Sequence, residues 1–213
     1  MRLIVLTYPQ SIVKTSPRFM TKIFLCLWSQ ADCEERNQYA RKLAFSGFQF
    51  AKIVSLESLS DHLEFLPSLP GATSMKSWIN ELVEMFSILF DQKNLGLRIS
   101  SMEKPMCPKF HVDHVPARLI HCLYGESCQW VNDMKYFNSN ANVDIKTWTQ
   151  KAENPNSKVS IAQAPNRSVV IMKGTAWRDG TIPIIHRSPQ HIEARCVLTL
   201  DIAERANTFA FSN

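Results

Sequence analysis

Two histidines and one aspartate have the residue types and the spacing of a metal site. His111 and Asp113 lie two positions apart, so on an extended strand both side chains leave the same face. His186, much later in the chain, would supply a second imidazole. Two neutral imidazoles and one ionised carboxylate can hold a divalent cation such as iron(II) and leave about three coordination positions open. The three residues therefore predict a metal site at which chemistry can occur.

Arginines near these residues in the sequence could bind an anion beside the metal. Arg195 follows His186 by nine positions. Its planar guanidinium matches a carboxylate in two hydrogen bonds and keeps its charge on burial, although a surface ion pair would explain it equally simply. Arg118, five positions after Asp113, and Arg187, next to His186, compete for the same role.

Three further side chains near the site have both a functional and a structural interpretation. Tyr124 and Trp177 could line a pocket, although aromatic residues beside strands usually belong to the core. Cys107, four positions before His111, could be a soft additional ligand that favours zinc, but a single cysteine is more often a packing residue. His114 lies an odd number of positions from His111 and points to the opposite strand face.

Short apolar runs between turn residues predict a strand-rich C-terminal half. The predicted strands cover residues 97–99, 109–112, 117–123, 159–162, 169–172, 183–186 and 195–200. These seven short strands suit a jelly roll that either has its edges trimmed or has a further, missed strand near Trp130.

The N-terminal half carries helical patterns instead. Residues 32–46 have acidic side chains early and basic ones late, residues 56–66 form a shorter candidate, and residues 74–91 give the strongest periodicity. Residues 23–28 fit either a strand or a buried helix. The longest of these helices should pack one apolar face into the core, formed by Trp78, Leu82, Met85, Phe86 and Leu89.

Length and patterning together predict one α+β domain over residues 1–213. Within it we expect a mainly helical part at 1–94, packed outside a jelly-roll core at 95–202, and a C-terminal tail at 203–213. The asparagine-rich stretch 136–157 suggests a surface insertion that serves as a lid or is simply variable.

Composition narrows the function class. The formal net charge of +5 is spread along the chain, so nothing in it calls for a nucleic-acid partner. The six cysteines form no Cys-x-x-Cys pair, which argues against a zinc ribbon or a thioredoxin-like motif. No stretch is long and apolar enough to predict a membrane span, and the cytoplasm is the expected compartment.

Three features together form a known pattern: His-x-Asp at 111–113, the distal His186 and the later Arg195. In this pattern the sequence resembles the iron(II) and 2-oxoglutarate dependent dioxygenases, whose core is a double-stranded β-helix. That resemblance implies that His111, Asp113 and His186 hold the metal and that Arg195 binds the far carboxylate of 2-oxoglutarate. We add Arg118 and Tyr124 as further candidates for binding the co-substrate. The sequence departs from the commonest pattern because Arg195 lacks a serine two positions later.

A narrower resemblance rests on Phe-His-x-Asp at 110–113, Lys-Gly-x-x-Trp at 173–177 and His-Arg-Ser-Pro at 186–189. These motifs are similar to those of an uncharacterised bacterial domain-of-unknown-function family with a loose link to zinc-responsive gene neighbourhoods. The narrower resemblance implies zinc as an alternative metal and implies no reaction.

Two functional hypotheses follow. The first is an oxygenase that decarboxylates 2-oxoglutarate and hydroxylates or demethylates an unidentified small-molecule or protein substrate, and Arg195 favours it. The second is a metal-binding protein without oxygenase activity, either a zinc-linked accessory factor or a cupin-like binding module, which Cys107 favours. A hydrolase with zinc-activated water would need a general base such as Glu126 or Glu193.

Overall fold

The computed structural model describes residues 3–7, 25–29, 32–138, 143–177, 182–190 and 193–202. Within these ranges five helices form: α1 (Glu34–Ala44), α2 (Leu59–Leu63), α3 (Ala72–Phe90), α4 (Met134–Phe137) and α5 (Ile145–Glu153). The strands in the same ranges are β1 (Leu3–Thr7), β2 (Leu25–Ser29), β3 (Gln49–Val54), β4 (Leu95–Met102), β5 (Ala117–Tyr124), β6 (Gln129–Val131), β7 (Ile161–Gln163), β8 (Val169–Lys173), β9 (His186–Arg187) and β10 (Arg195–Ile202).

The strands form two sheets. The large sheet has the order β1-β2-β8-β5-β10-β4-β3, and every pair in it is antiparallel except β1 with β2. The small sheet has the order β7-β6-β9. An antiparallel bridge between His111 and His186 adds one more chain segment beside β9. The prediction of a mixed α and β fold with antiparallel sheets is confirmed.

Two apolar clusters on opposite faces of the large sheet arrange these elements in layers. Strand alternation sends Leu198 and Leu200 of β10 towards α1 and α3, whereas Val197 of the same strand faces the small sheet. The central strands are therefore apolar on both faces, which explains their nearly continuous hydrophobic sequence. Burial of each leucine or valine contributes about 1.5–3 kcal/mol, so both layers are held firmly against the sheet.

Helix α3 packs as the sequence predicts. Trp78, Leu82 and Phe86 are buried, and Met85 and Leu89 are partly buried against the same cluster. The helix begins after Gly71, whose backbone is left-handed with φ of 92°. A side chain at that position would meet the Glu35 carbonyl oxygen at 2.3 Å, so the glycine lets α1 and the start of α3 approach closely.

The N-terminal part contributes more strand than the sequence predicts. The ambiguous segment 23–28 is a strand where it is described, as β2, and β1 and β3 also join the large sheet. The boundary at residue 94 therefore does not separate a helical part from the sheet. Strand β3 lacks a clear alternation in its sequence and is held by pairing with β4, which is a tertiary effect.

Most predicted strands of the C-terminal half are present. One predicted strand is absent, and another is shorter than predicted. Residues 109–112 do not form a strand and make only the bridge at His111. The candidate at 183–186 is reduced to the two-residue strand β9. Of the two alternatives for the jelly roll, the structure has the further strand near Trp130, which is β6.

The asparagine-rich stretch 136–157 carries helical structure where it is described. Asp133 begins α4 by accepting a hydrogen bond from the Lys135 amide at 2.8 Å, and Asp144 begins α5 by accepting from the Thr147 amide at 3.2 Å. Residues 139–142 and the predicted tail 203–213 lie outside the described residues. No helix of the described part is long and apolar enough to cross a bilayer.

Candidate metal centre

The His-x-Asp segment is fixed from both ends by backbone contacts. The amide of His111 donates to the carbonyl of His186, and the amide of His186 donates back to His111, each at 2.9 Å. Phe110, the residue before His111, is buried in the cluster between the two sheets. The two histidines are therefore neighbours on adjacent chain segments, as an antiparallel pair requires.

The turn after β8 fixes Asp113. The Thr175 amide donates to the Asp113 carbonyl at 2.9 Å, and the Gly174 amide donates to Pro116 at 3.0 Å. A side chain at Gly174 would lie 2.1 Å from the Val115 carbonyl oxygen and 2.6 Å from that of Asp113. Only glycine lets the two backbones come this close, which gives the Lys-Gly-x-x-Trp motif a structural role.

The three predicted ligands converge. One ligand atom from each of His111, Asp113 and His186 lies within 4.8 Å of the others. Nε2 of His186 is 3.3 Å from Oδ2 of Asp113, and Nε2 of His111 is 3.8 Å from Oδ1. The two imidazole rings are 4.5 Å apart between centroids. A cation among these atoms could approach all three at metal-ligand distances of about 2.0–2.2 Å after small side-chain movements.

Hydrogen bonding assigns the tautomer of both imidazoles. Nδ1 of His111 is 2.9 Å from the Lys109 carbonyl, and Nδ1 of His186 is 3.1 Å from the Ile184 carbonyl. Because a carbonyl only accepts, the proton of each neutral ring sits on Nδ1, and the lone pair of Nε2 faces Asp113. Burial lowers the pKa of His186, which favours the neutral ring that a metal needs.

Asp113 has one satisfied and one unsatisfied oxygen. Its Oδ1 accepts from Nη1 of Arg118 at 2.7 Å, whereas its Oδ2 is buried without a hydrogen-bond partner in the described part of the chain. A buried carboxylate oxygen left unpaired costs about 1–3 kcal/mol or more. A cation beside Oδ2 would remove this cost, so the residues present fit a metal.

Arg118 is held by two carboxylates. Its Nε and Nη2 donate to the two oxygens of Asp201 at 2.6 and 2.8 Å, and Nη1 donates to Asp113. Burial alone would lower the pKa of Arg118, but these two carboxylates raise it instead. Arg118 also lines the cavity between the two sheets, so its predicted contact with a co-substrate stays a prediction, while the contact that the structure gives it is with Asp113 and Asp201.

Two of the three converging residues lie at a cavity between the large sheet and the small sheet, called here the central cavity. Its volume is about 70 Å³. His111 and His186 line one part of it, and Arg98, Arg187 and Arg195 also line it. Pockets for drug-sized ligands usually measure about 300–1,000 Å³, so a ligand larger than a few waters requires side chains to move.

Arg195 is the arginine that meets the sequence expectation. It is 2% exposed, and its Nε is buried without a hydrogen-bond partner among the described residues. It lies beside the buried thiols of Cys122 and Cys128, where its charge opposes the burial that raises their pKa values. A buried guanidinium with no carboxylate partner is suited to an anionic ligand.

Tyr124 does not face the central cavity, so the expectation for it is corrected. Its ring packs 5.9 Å from that of Phe45, on the helix side of the large sheet. The register of β5 against β10 shifts between Cys196 and Val197, and the irregularity ends the simple alternation of faces just before Tyr124. Tyr124 instead lines a wider cavity of about 880 Å³ that contains none of the three converging residues.

Two residues near the site were not predicted from the sequence. Asp201 orients Arg118, and Arg98 lines the central cavity from β4. The alternation of side chains on the predicted strands 97–99 and 195–200 was the available signal, since Asp201 shares a face with Arg195. Alternation indicates which face of the sheet a side chain lies on, but it does not indicate which strand pairs with its own strand.

The remaining candidates have structural surroundings. Nδ1 of His114 is 3.1 Å from the hydroxyl of Thr175, a residue of the turn that holds the Asp113 backbone, and His114 is not one of the three converging residues. Cys107 lines the central cavity, and burial is the main cause that raises the pKa of its thiol. Its sulfur is not among the ligand atoms that converge. Trp177 packs under the ammonium of Lys173, at 4.4 Å from the ring centroid.

Among solved structures, the fold is similar to that of plant dioxygenases for auxin oxidation. The rice protein shares 7% identity with a TM-score of 0.56, and the match covers 94% of this chain and 83% of that one. The protein from Arabidopsis thaliana, solved as a binary complex with 2-oxoglutarate, shares 9% identity with a TM-score of 0.50, covering 97% and 94%. At these identities the likeness concerns the fold alone.

The comparison of sequences gives the family. Residues 17–201 match the family described as protein of unknown function DUF1826, and the chain belongs to it. No curated protein matches the sequence significantly. The resemblance carried by Phe-His-x-Asp and His-Arg-Ser-Pro is therefore confirmed for both the fold and the family.

Proposed function

We propose that this protein is an iron(II) and 2-oxoglutarate dependent oxygenase with a double-stranded β-helix core. The observation that carries the proposal is the Oδ2 of Asp113, which has no hydrogen-bond partner in the described part of the chain and lies 3.3 Å from Nε2 of His186. Nε2 of His111 lies 3.8 Å from the other oxygen of the same carboxylate, and both imidazoles hold their protons on Nδ1. Two imidazoles and one carboxylate on one side of a cation are the iron(II) ligands of this enzyme class.

The strand order supports the jelly-roll interpretation. Strands β8, β5, β10 and β4 are consecutive neighbours in the large sheet, and β7, β6, β9 and the segment at His111 are consecutive in the small one. Two four-strand layers that face each other across an apolar cluster are the arrangement of a double-stranded β-helix.

Each residue of the site has a defined role in the proposal. His111, Asp113 and His186 hold the metal, and Arg195 binds the far carboxylate of 2-oxoglutarate with its buried guanidinium. Bound iron(II) would supply the oxidative chemistry that decarboxylates 2-oxoglutarate and oxidises a substrate. The protein contributes orientation, because Arg118 and Gly174 hold Asp113 in place, and it contributes a site enclosed between two sheets.

The alternative is a zinc-binding protein without oxygenase activity. His-His-Asp also suits zinc, and Cys107 on the wall of the central cavity offers a soft ligand if its loop moves. The zinc-binding alternative assigns no function to Arg195. For this reason it is the second candidate function.

One experiment separates the two functions. The protein is loaded with iron(II) without oxygen, 2-oxoglutarate is added, and the weak visible charge-transfer band of a chelated keto acid is recorded. We expect the band in the wild type and in His62→Ala, whose histidine lies on α2 and does not line the central cavity, and its loss in His111→Ala. Stoichiometric metal binding without any band would support the accessory-protein alternative.

A further inference from the structure

A second arginine that has no carboxylate partner among the described residues lines the central cavity. On β4, alternation turns Arg98 and Ser100 towards this cavity, while Leu97 and Ile99 pack on the helix side. Arg98 pairs in register with Thr199 of β10, which also lines the cavity. The side chain is thus built into the wall that faces the metal-ligand candidates.

The position of Arg98 differs from that of Arg195. Along β10, Thr199 lies between Arg195 and Asp201, and Asp201 is the partner of Arg118. Arg98, opposite Thr199, therefore lies nearer the Asp113 end of the cavity than Arg195 does. The charges of Arg98 and Asp113 both affect the pKa of Cys107, which is consistent with this proximity.

The other cations near this end have carboxylate partners. Arg118 is paired with Asp201 and Asp113, and Nη1 of Arg187 lies 3.6 Å from Glu153. No acidic group in the described part of the chain lies within ion-pair distance of Arg98. A cation in a partly enclosed wall without a partner favours an anionic ligand.

Charge balance indicates which ligand is missing. With a divalent cation bound, Asp113 neutralises one of its charges and Asp201 offsets Arg118, so Arg98 and Arg195 bring the site to three positive charges. The two carboxylates of 2-oxoglutarate compensate for two of them. One positive charge is left at the end where a substrate would meet the metal, and an uncompensated charge in such a site is costly.

We propose that Arg98 recognises a negatively charged group, such as a carboxylate, on the substrate that is oxidised. The proposal rests on the proposed function and deepens it, because it names a substrate class and a specificity-determining residue. A guanidinium binds a carboxylate through two parallel hydrogen bonds, so Arg98 would also orient the substrate relative to the metal.

The test uses manganese(II) in place of iron(II), because manganese accepts the same oxygen and nitrogen ligands and its paramagnetism relaxes nearby protons. The probes are propionate and benzoate, each compared with its neutral amide, and proton relaxation is measured with and without 2-oxoglutarate. In the wild type we expect the acids to be relaxed at least about tenfold more strongly than the amides.

Variants assign the effect to Arg98. Arg98→Met should abolish the preference for the acids, and Arg98→Lys should keep part of it, because lysine retains the charge without the fork. Lys52→Met, which removes an exposed charge on the adjacent strand β3, should behave as the wild type. Lysine rescue also shows that a loss in the methionine variant does not come from misfolding.

The results that would contradict the proposal for Arg98 can be distinguished from one another. Equal relaxation by acids and amides, or an unchanged preference in Arg98→Met, would overturn the proposal. A fall in 2-oxoglutarate affinity in Arg98→Met without any acid preference in the wild type would overturn it too, and would assign Arg98 to the co-substrate. Acid preference in a manganese-loaded protein that binds no 2-oxoglutarate would support the anion site while contradicting the oxygenase function.

Discussion

At the residue scale, the site depends on how the two oxygens of Asp113 are used. Arg118 takes one oxygen and leaves the other for a cation, and two backbone carbonyls set the tautomers of the histidines. The sequence predicted the three converging residues from type and spacing alone. It could not predict the role of Arg118, because that depends on Asp201, which is distant in sequence and adjacent only through the β5–β10 register.

Arg195 gives the residue-scale prediction. Arg195→Ala should weaken 2-oxoglutarate binding to the metal-loaded protein by about a hundredfold or more, because a charge-assisted, two-pronged contact is lost. Metal affinity should change little, and Arg195→Lys should recover part of the loss. Calorimetry on the wild type and both variants measures this, with the exposed Arg41→Ala as a control. Equal 2-oxoglutarate affinity in all four proteins would remove Arg195 from the site.

At the element scale, the turn after β8 and the helix layer have different structural roles. The turn holds the backbone of Asp113, and α3 covers the opposite face of the large sheet. The periodicity of α3 was readable from sequence because its apolar face is continuous. The extended segment at His111 was misread as a strand, since a single bridge and a strand have the same local sequence.

Gly174→Ala tests the turn. The new methyl group would collide with the carbonyl oxygens of Val115 and Asp113, so the Asp113 backbone must shift. We expect metal affinity to fall about tenfold or more, because ligand geometry is fixed through such outer contacts. Gly71→Ala is the matched control, since it collides with Glu35 on the helix side and should lower stability while leaving metal affinity intact. Similar metal affinities in the two variants would contradict this role of the turn.

Leu82→Ala tests the helix layer. Leu82 is fully buried, so its truncation should lower the free energy of unfolding by about 2–5 kcal/mol and leave metal affinity unchanged. Denaturant unfolding and metal titration measure the two quantities. Ile88→Ala, on the exposed side of the same helix, should change stability by less than about 0.5 kcal/mol. Loss of metal binding in a folded Leu82→Ala protein would mean that α3 belongs to the site.

At the scale of the whole molecule, the large sheet lies between the helix layer and the small sheet, beside which the three candidate metal ligands converge. His121 lies on its helix side, where its ring packs against Trp78 and burial lowers its pKa to about 4. The sequence predicted the layers but not the strands that the N-terminal part adds to the sheet. Pairing such as that of β3 with β4 is decided by the complete sheet and is invisible in a local pattern.

The buried His121 predicts how stability depends on pH. The unfolded chain takes up a proton below pH of about 6.5, whereas the folded protein does so only near pH 4. The free energy of unfolding should therefore fall as the pH is lowered through this window, by up to about 1.4 kcal/mol per pH unit from this group. Denaturant unfolding should show a smaller slope in His121→Gln than in His114→Gln, whose histidine is exposed. Equal slopes would contradict the assignment.

The most direct test of the account is an anaerobic calorimetric titration with iron(II) of the wild type and of single variants at the three converging residues. We expect one iron per chain in the wild type and in the control variant His62→Ala, which alters a histidine of α2. His111→Ala, Asp113→Asn and His186→Ala should each lose at least about tenfold in affinity, since each removes one of three ligands. Unchanged stoichiometric binding in those three variants would contradict the assignment of His111, Asp113 and His186 as the metal site.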